Sequence, residues 1–275
     1  LTHATKNTGF ERHVRACNNA VLPGARRPFH LCDTQVGWVA PPMIDALAAY
    51  PAIRVAADRL TLTTPEALPG IARELAGQGL YRWRNEAFDV RARPDGAALS
   101  QIDRGAIPSF GIRATGVHVN GLVRRPDGLH LWVARRSNNK LLDPGKLDHI
   151  VAGGVPAGLT PRQTLVKEAA EEAAIPSSLA SQARQVSSFG YAMERQEGLR
   201  RDWVYGYDLT LPEAFIPEPT DGEVETFELW PIRQAFEAVR DTDAFKFNVT
   251  LVLIDLFIRQ GMIDGSEANS LRAAL

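Results

Sequence analysis

The chain has 275 residues, 45% hydrophobic and 23% charged, enough to bury one large core or two small ones. Its formal net charge of -1 argues against a nucleic-acid polymer binder that works by neutralising phosphates nonspecifically. Two cysteines, Cys17 and Cys32, with no CxxC or zinc-type spacing, leave room for at most one bridge, argue against a disulfide framework and point to a reducing, cytoplasmic setting.

The N-terminus lacks the apolar core of a signal peptide. In chain order, PPMIDALAAY predicts a proline-started helix, RLTLT a short strand, and TPEALPGIARELAGQGL a helix ending at glycine. RWRNEAFDVRAR reads as a further strand and Pro94-Asp95-Gly96 as a turn. From about Phe110 the pattern changes. GIRATGVHVNGLVRR and LHLWVARRS read as strands joined at Pro126-Asp127-Gly128, a hairpin signal. LDHIVAGG follows as one strand, then a helix, then the strands RQVSSFGYAM, RDWVYGYDLTL and EVETFELWPI. The helices PIRQAFEAVR and NVTLVLIDLFIRQGMI close the chain. The apolar run in the last is short and carries Asp255, so it is expected to be a buried helix and no membrane span. The expected organisation is a smaller N-terminal α/β domain over 1–110 and an α+β or sandwich domain with a mixed sheet over 111–275.

The stretch GGVPAGLTPRQTLVKEAAEEAAI carries the chemistry. Thr160 caps a helix, Pro161 takes its first position, Gln163 completes a T-x-x-Q box, and Pro176 stops it. At about 100° per residue, Glu168, Glu171 and Glu172 share an arc roughly a quarter-turn wide. Leu165, Val166, Ala169, Ala170 and Ala173 form the packing arc beside it. Such a face is either a solvated acidic surface, with Lys167 offsetting Glu171, or a site for a hard cation such as Mg²⁺. Gly153 and Gly154 before the helix allow close backbone approach and favour the second reading.

These residues resemble the signature of the MutT/Nudix hydrolases: Gly, five residues, Glu, seven residues, Arg-Glu, apolar, any, Glu-Glu, any, Gly, apolar. Gly153, Glu168, Glu171, Glu172 and Ile175 match it; Leu159, Lys167 and Ala174 stand where the pattern has Glu, Arg and Gly. The segments FGIRATGVHVNG, LDPGKLDHIVAGGVPAGL, LVKEAAEEA and DGEVETFELWPI are similar to the Nudix branch related to, or fused with, thiamine pyrophosphokinase. RHVRACNNA, PFHLCDTQVGWVAP and LSQIDRGAIPSFGI resemble that branch's uncharacterised N-terminal domain.

The resemblance implies a Nudix α/β/α sandwich. It also implies a Mg²⁺- or Mn²⁺-dependent hydrolase of a small-molecule diphosphate: thiamine diphosphate or its oxidised analogues, alternatively an oxidised nucleoside diphosphate. A Nudix fold kept only for binding is the rival from another class. Glu168 and Glu172 are the implied direct metal ligands, with Glu171 direct or through water. Glu223 and Glu225 are candidates for general base or further ligand, or are solvated loop charges. For the diphosphate, Arg135 and Arg136, which strand alternation points opposite ways, are candidates together with Lys140, Lys146, His149, Lys167 and the backbone at Gly153 and Gly154. The same residues also read as surface charge near a hairpin. His118 reads first as hydrogen-bonded structure, and Trp38, Tyr191, Trp203 and Tyr205 first as core aromatics, with stacking on a flat ring the alternative. Monomer and homodimer both remain open.

Overall fold

The structure is a computed structural model that describes residues 9–275. Residues 1–8, on which the reading of the N-terminus rests in part, lie outside the described residues. Helix α1 (Glu11–Cys17) comes first, then the antiparallel strands β1 (Arg27–Leu31) and β2 (Thr34–Val39). Helix α2 (Pro41–Leu47) has proline in its first turn, where the missing N–H leaves no bond unmade. Strands β3 (Ile53–Val55) and β4 (Leu60–Leu62) complete a four-stranded sheet of order β2-β1-β4-β3. Helix α3 (Leu68–Gly77), the paired β5 (Ala87–Val90) and β6 (Ser100–Asp103), and the short α4 (Ile107–Phe110) close around Phe29, Leu47, Leu60, Leu75, Phe88 and Phe110.

The second sheet starts with the hairpin β7 (Arg113–Arg125) and β8 (Gly128–Arg136). Strands β9 (Leu147–His149) and β10 (Val151–Gly154) lead to helix α5 (Pro161–Ala173) and the single turn α6 (Ser177–Ala180). Strands β11 (Arg184–Arg195), β12 (Gly198–Thr210) and β13 (Val224–Pro231) follow, then helices α7 (Ile232–Asp241), α8 (Val249–Arg259) and α9 (Gly265–Ala274). The sheet runs β11-β12-β7-β8-β13, with β10 on β7 and β9 on β8. It is mixed, because β12 lies parallel to β7 while the other pairs are antiparallel.

Both faces of this sheet are covered. On one, Leu165, Ala169 and Ala173 of α5 pack against Val117, Val119 and Ile150. On the other, α7, α8 and α9 bury Phe236, Leu253, Phe257 and Leu271 with Leu122, Leu131 and Phe189 of the strands. The result is the expected helix/sheet/helix sandwich in an α+β chain. Helix α8 is apolar nearly all round and correspondingly buried. Among the described residues no helix is long and apolar enough to cross a membrane. Cys17 is buried, Cys32 is exposed, and both are free.

Four local readings change. LDHIVAGG is two strands: the chain crosses at the fully buried Ile150 from the side of β8 to the side of β7, so no single ladder holds it. β1 and β2 form although polar His30, Thr34 and Gln35 dilute their alternation. Helix α9 forms beyond the expected last helix with only Ala268 and Leu271 buried. The unanticipated α1 packs away from the first sheet, its Phe10 ring 5.0 Å from Phe236 and 6.1 Å from Phe257.

Helix α5 starts as expected, with both bonds of the Thr160–Gln163 capping box made. It ends on Ala174, left-handed at φ 52°, where a Cβ crowds the following carbonyl. Ala174→Gly therefore raises stability by about 1 kcal/mol, visible as a higher urea midpoint with an unchanged slope.

Candidate active site

Helix geometry separates the three glutamates of α5. Taking Leu165 as the buried direction, about 100° per residue puts Glu172 about 20° away, Glu168 about 60° and Glu171 about 120°. Glu172 is accordingly buried, 6% exposed, Glu168 half-buried and Glu171 exposed. The same arithmetic puts Ala170 about 140° off, and it lies on the exposed side, contrary to its expected packing role. Glu171 pairs with Lys167, whose ammonium also reaches Glu168 at 3.2 Å.

Strand β10 lies under this helix and explains the glycine pair. A Cβ on Gly153 would stand 2.7 Å from Cγ of Glu168, and one on Gly154 would stand 2.5 Å from Cζ of Phe88. Between strand and helix, the Ala152 N–H donates to Oε2 of Glu172 at 2.9 Å. Leu159, where the signature has Glu, packs on the apolar cluster below α5.

Opposite stands the loop before β13. Oxygens of Glu172, Asp221 and Glu223 lie within 4.8 Å of one another. Burial pushes the Glu172 carboxyl well above its ordinary range; the Ala152 amide opposes this, and Asp148, Glu168 and Glu223 add to it. Glu168 is raised chiefly by burial, against Lys167. Glu223 goes the other way: burial would raise it, but its hydrogen bond from Lys140 and the nearby Arg104 and Arg136 hold it down. An acid this unfavourable to ionise, ringed by further carboxylates, matches what a hard divalent cation requires. Glu172, Glu168, Glu223 and Asp221 are the residues that would hold Mg²⁺ or Mn²⁺.

The remaining candidates divide. Arg136, Lys140 and His149 line the narrow cleft with Asp148, Ala152, Glu172 and Glu223. Arg136 is engaged in the fold: it donates to Asp148 at 2.6 Å and to the carbonyls of Leu142 and Asp143. Arg135 donates to the Gly145 carbonyl, Lys146 to that of Asp243, and neither lines the cleft. Glu225 accepts from both the backbone and the side chain of Asn138 and so holds a loop. Tyr191 is buried and donates to Asp202, a core role; Trp38, Trp203 and Tyr205 are partly buried and absent from the cleft lining. A larger cavity than the cleft, about 190 Å³, lies elsewhere, between Arg124, Arg184, Asp208 and Arg259.

Sequence reading passed over Asp148, Asp221, Lys246 and Arg104. Asp148 is placed by a short annexe to β9, where Leu147 donates to Ala244 and Lys246 donates to Leu147. That puts the Lys246 ammonium 3.6 Å from Asp148, both nearly buried. Burial alone would raise Asp148, but Lys246 and Arg136 drive it well below the usual carboxylate range. Lys246 is not raised in return: burial outweighs Asp148, and Arg136, Arg200 and Arg104 repel its charge.

Behind the cleft, Nδ1 of His118 meets Nδ1 of His149 at 3.1 Å, one donating to the other, and Asn248 reaches Nε2 of His118. This is the structural role expected first for His118. Burial lowers His118 well below 6.5 and His149 to about 4, so both are neutral at pH 7. An unfolded histidine titrates near 6.5. The stability tied to the neutral rings is therefore complete above pH 6.5 and is lost as pH falls towards 4. His149 alone accounts for about 3 kcal/mol. Urea midpoints across that range check this, and His149→Gln flattens the profile.

A family model described as NUDIX domain matches residues 114–251, and one described as Domain of unknown function (DUF4743) matches residues 9–114. Nudix hydrolase 20, chloroplastic, of Arabidopsis thaliana is 35% identical over 276 residues, covering 93% of this chain and 74% of that protein. Nudix hydrolase 24, chloroplastic, of the same plant is 35% identical over 269 residues, with the same coverage. Among solved structures, the NUDIX domain of Shewanella oneidensis NrtR complexed with ADP ribose aligns with TM-score 0.42 at 14% identity, over 56% of this chain and 92% of that one. The clustered carboxylates, the glycine pair and these two relatives agree: the chain belongs to the Nudix family and is a hydrolase acting on diphosphate bonds.

Proposed function

We propose that the carboxylate cleft hydrolyses the diphosphate of a small molecule with a divalent cation, and that the substrate is thiamine diphosphate or an oxidised analogue, released as the monophosphate. One observation carries the catalytic part: Glu172 is buried among Glu168, Asp221 and Glu223, an arrangement a purely binding fold has no use for. When bound, the cation supplies charge neutralisation and Lewis acidity. Glu168 and Glu172 would hold it; Gly153 lets Glu168 lie against the strand, and the Ala152 amide fixes the rotamer of Glu172. Glu171, turned towards Lys167, acts through water or only sets the charge of the rim. Glu223, kept ionised by Lys140, is the group poised to accept a proton from water or to complete the ligand set.

The thiamine assignment is supported by the likeness of LDPGKLDHIVAGGVPAGL and DGEVETFELWPI to the thiamine pyrophosphokinase branch. We further propose a division near residue 110, the preceding part selecting substrate. Turnover of thiamine diphosphate, its oxidised forms and oxidised nucleoside diphosphates, each with Mg²⁺ and Mn²⁺, tests the assignment. Release of thiamine monophosphate supports it. Exclusive turnover of nucleotides overturns the thiamine part, and tight binding without turnover under either metal overturns the enzyme.

A further inference from the structure

We propose that the cavity at the C-terminal end of α8 is a second ligand site, separate from the carboxylate cleft, which takes a phosphoryl oxyanion between Arg124 and Arg184. It stands whichever diphosphate the cleft hydrolyses.

Three strands and one helix end build this cavity. Antiparallel pairing sets Arg184 of β11 directly across from Asp208 of β12, and parallel pairing sets Thr210 of β12 beside Leu122 of β7. Side chains two apart on a strand share a face, so Arg124 joins Leu122, and Thr210 joins Asp208. All five line the cavity, on the face of the sheet where Leu122 packs with α8, and Arg259 near the end of α8 lines it with them. The cavity and the cleft share no lining residue. At about 190 Å³ it far exceeds the roughly 10–15 Å³ that one water needs. It falls short of the roughly 300 Å³ at which sites for drug-sized ligands begin. That space suits a group the size of phosphate.

Charge decides what enters. An arginine directly across from an aspartate on the neighbouring strand ordinarily pairs with it. Here the aspartate is already taken. Arg259 donates to both oxygens of Asp208, at 2.6 and 3.0 Å, and Asn120 donates to Oδ1 at 2.8 Å. Arg259 is matched a second time by Asp255 at 2.8 Å. Arg184 therefore keeps no hydrogen bond or ion pair among the described residues, and neither does Arg124, whose partner on β8 is Leu129. The adjacent Arg125, outside the lining, pairs with Glu213 at 3.1 Å, so exposure at this end of the sheet does not by itself leave an arginine unpaired.

Two guanidiniums without a counter-ion on one small cavity call for an oxyanion, which accepts charge-assisted, bidentate hydrogen bonds from such groups. Both are exposed and so open to a ligand from solvent. A metal cation is disfavoured, because Asp208, the one carboxylate in the lining, is engaged by Arg259. A phosphoryl group carries about −1.5 to −2 at pH 7, which matches the two unpaired charges. The Thr210 hydroxyl and the Gln260 amide, also in the lining and without side-chain partners, add neutral donors. Free phosphate and the phosphoryl end of a small monophosphate offer this same chemistry.

The test is a calorimetric titration of inorganic phosphate, with methyl phosphate as a second arm, into the full chain at fixed ionic strength. Divalent cations are removed by chelation, so no metal in the cleft recruits the anion. We expect one saturable site. Arg124→Gln and Arg184→Gln combined should weaken it by about tenfold or more, the loss of two charge-assisted contacts, and should melt as the parent does. Glu172→Gln in the cleft and Arg125→Gln beside the cavity should bind as the parent. Tighter binding of inorganic phosphate assigns free phosphate, and equal or tighter binding of methyl phosphate assigns a monophosphate. No saturable binding of either probe overturns the proposal, as does a smaller loss in the double variant. An equal loss in Arg125→Gln would mark general surface charge, and a loss in Glu172→Gln would put the anion in the cleft; either overturns it too. Should the double variant melt early, the single variants carry the comparison, and parental affinity in both overturns the proposal.

Discussion

Glu172→Gln abolishes metal-dependent turnover, by about a thousandfold or more, and leaves the protein at least as stable as the parent. The first effect follows from what a cation supplies to a diphosphate: several kcal/mol of charge stabilisation, of which about 4 kcal/mol is already a thousandfold in rate. The second follows from burial. Glu172 is disfavoured as an anion by desolvation and by Asp148, Glu168 and Glu223; an amide of the same shape removes that repulsion. The glutamine side chain also keeps an oxygen for the Ala152 N–H. Steady-state rates with Mg²⁺ and a urea titration on the same preparation check both halves. Loss of activity through unfolding would contradict the account, because removing a buried charge that its neighbours repel should not destabilise the fold.

Asp148→Asn acts in the opposite sense on stability. It removes the only carboxylate within ion-pair distance of both Arg136 and Lys246 among the described residues. Breaking a buried ion pair from one side leaves uncompensated charge and costs about 3–5 kcal/mol, enough to unfold a marginal domain at physiological temperature. The pH dependence has a definite sign. The folded pKa of Asp148 lies below its unfolded value, so its contribution is present above the ordinary carboxylate range and disappears as pH falls below it. Denaturant midpoints at neutral pH measure the loss. In Asp148→Asn the acid limb below about pH 4 flattens, while the histidine limb between pH 6.5 and 4 remains.

The two predictions separate what was legible in the residues from what was not. The acidic helix was legible because its information is local: Thr160, Pro161 and Gln163 mark its start within one turn, and the glycine pair precedes it. Glu223 was legible as a candidate through its motif. The unequal standing of the glutamates is a matter of which side of α5 meets the sheet. A 20° offset from Leu165 buries Glu172, while Ala170 on the far side is left in solvent. Asp148 is written into LDHIVAGG, but that run reads as one strand. Only the step at Ile150 between two ladders aims Asp148 at Arg136 and Lys246.

Lys246 and Arg104 were unreadable for a different reason. Lys246 meets Asp148, and Arg104 meets Glu86, from outside the reach of one helix turn or one strand, and nothing in the local pattern of AFKFN or IDRGA marks a buried or paired cation. Non-local pairing decides them, as it decides the placement of α1 against Phe236 and Phe257. Arg135 and Arg136 show the converse. Alternation points them opposite ways, and the one that lines the cleft, Arg136, is matched to Asp148 and to two carbonyls before any substrate arrives.

A crystal of the full chain soaked in Mn²⁺, with the ion located by its anomalous scattering, tests the central claim most directly. The account predicts manganese bound through carboxylate oxygens of Glu168 and Glu172, facing Glu223 and beside the Gly153 backbone. Manganese bound elsewhere, with Glu172 still buried and touching nothing but the Ala152 amide, would contradict it.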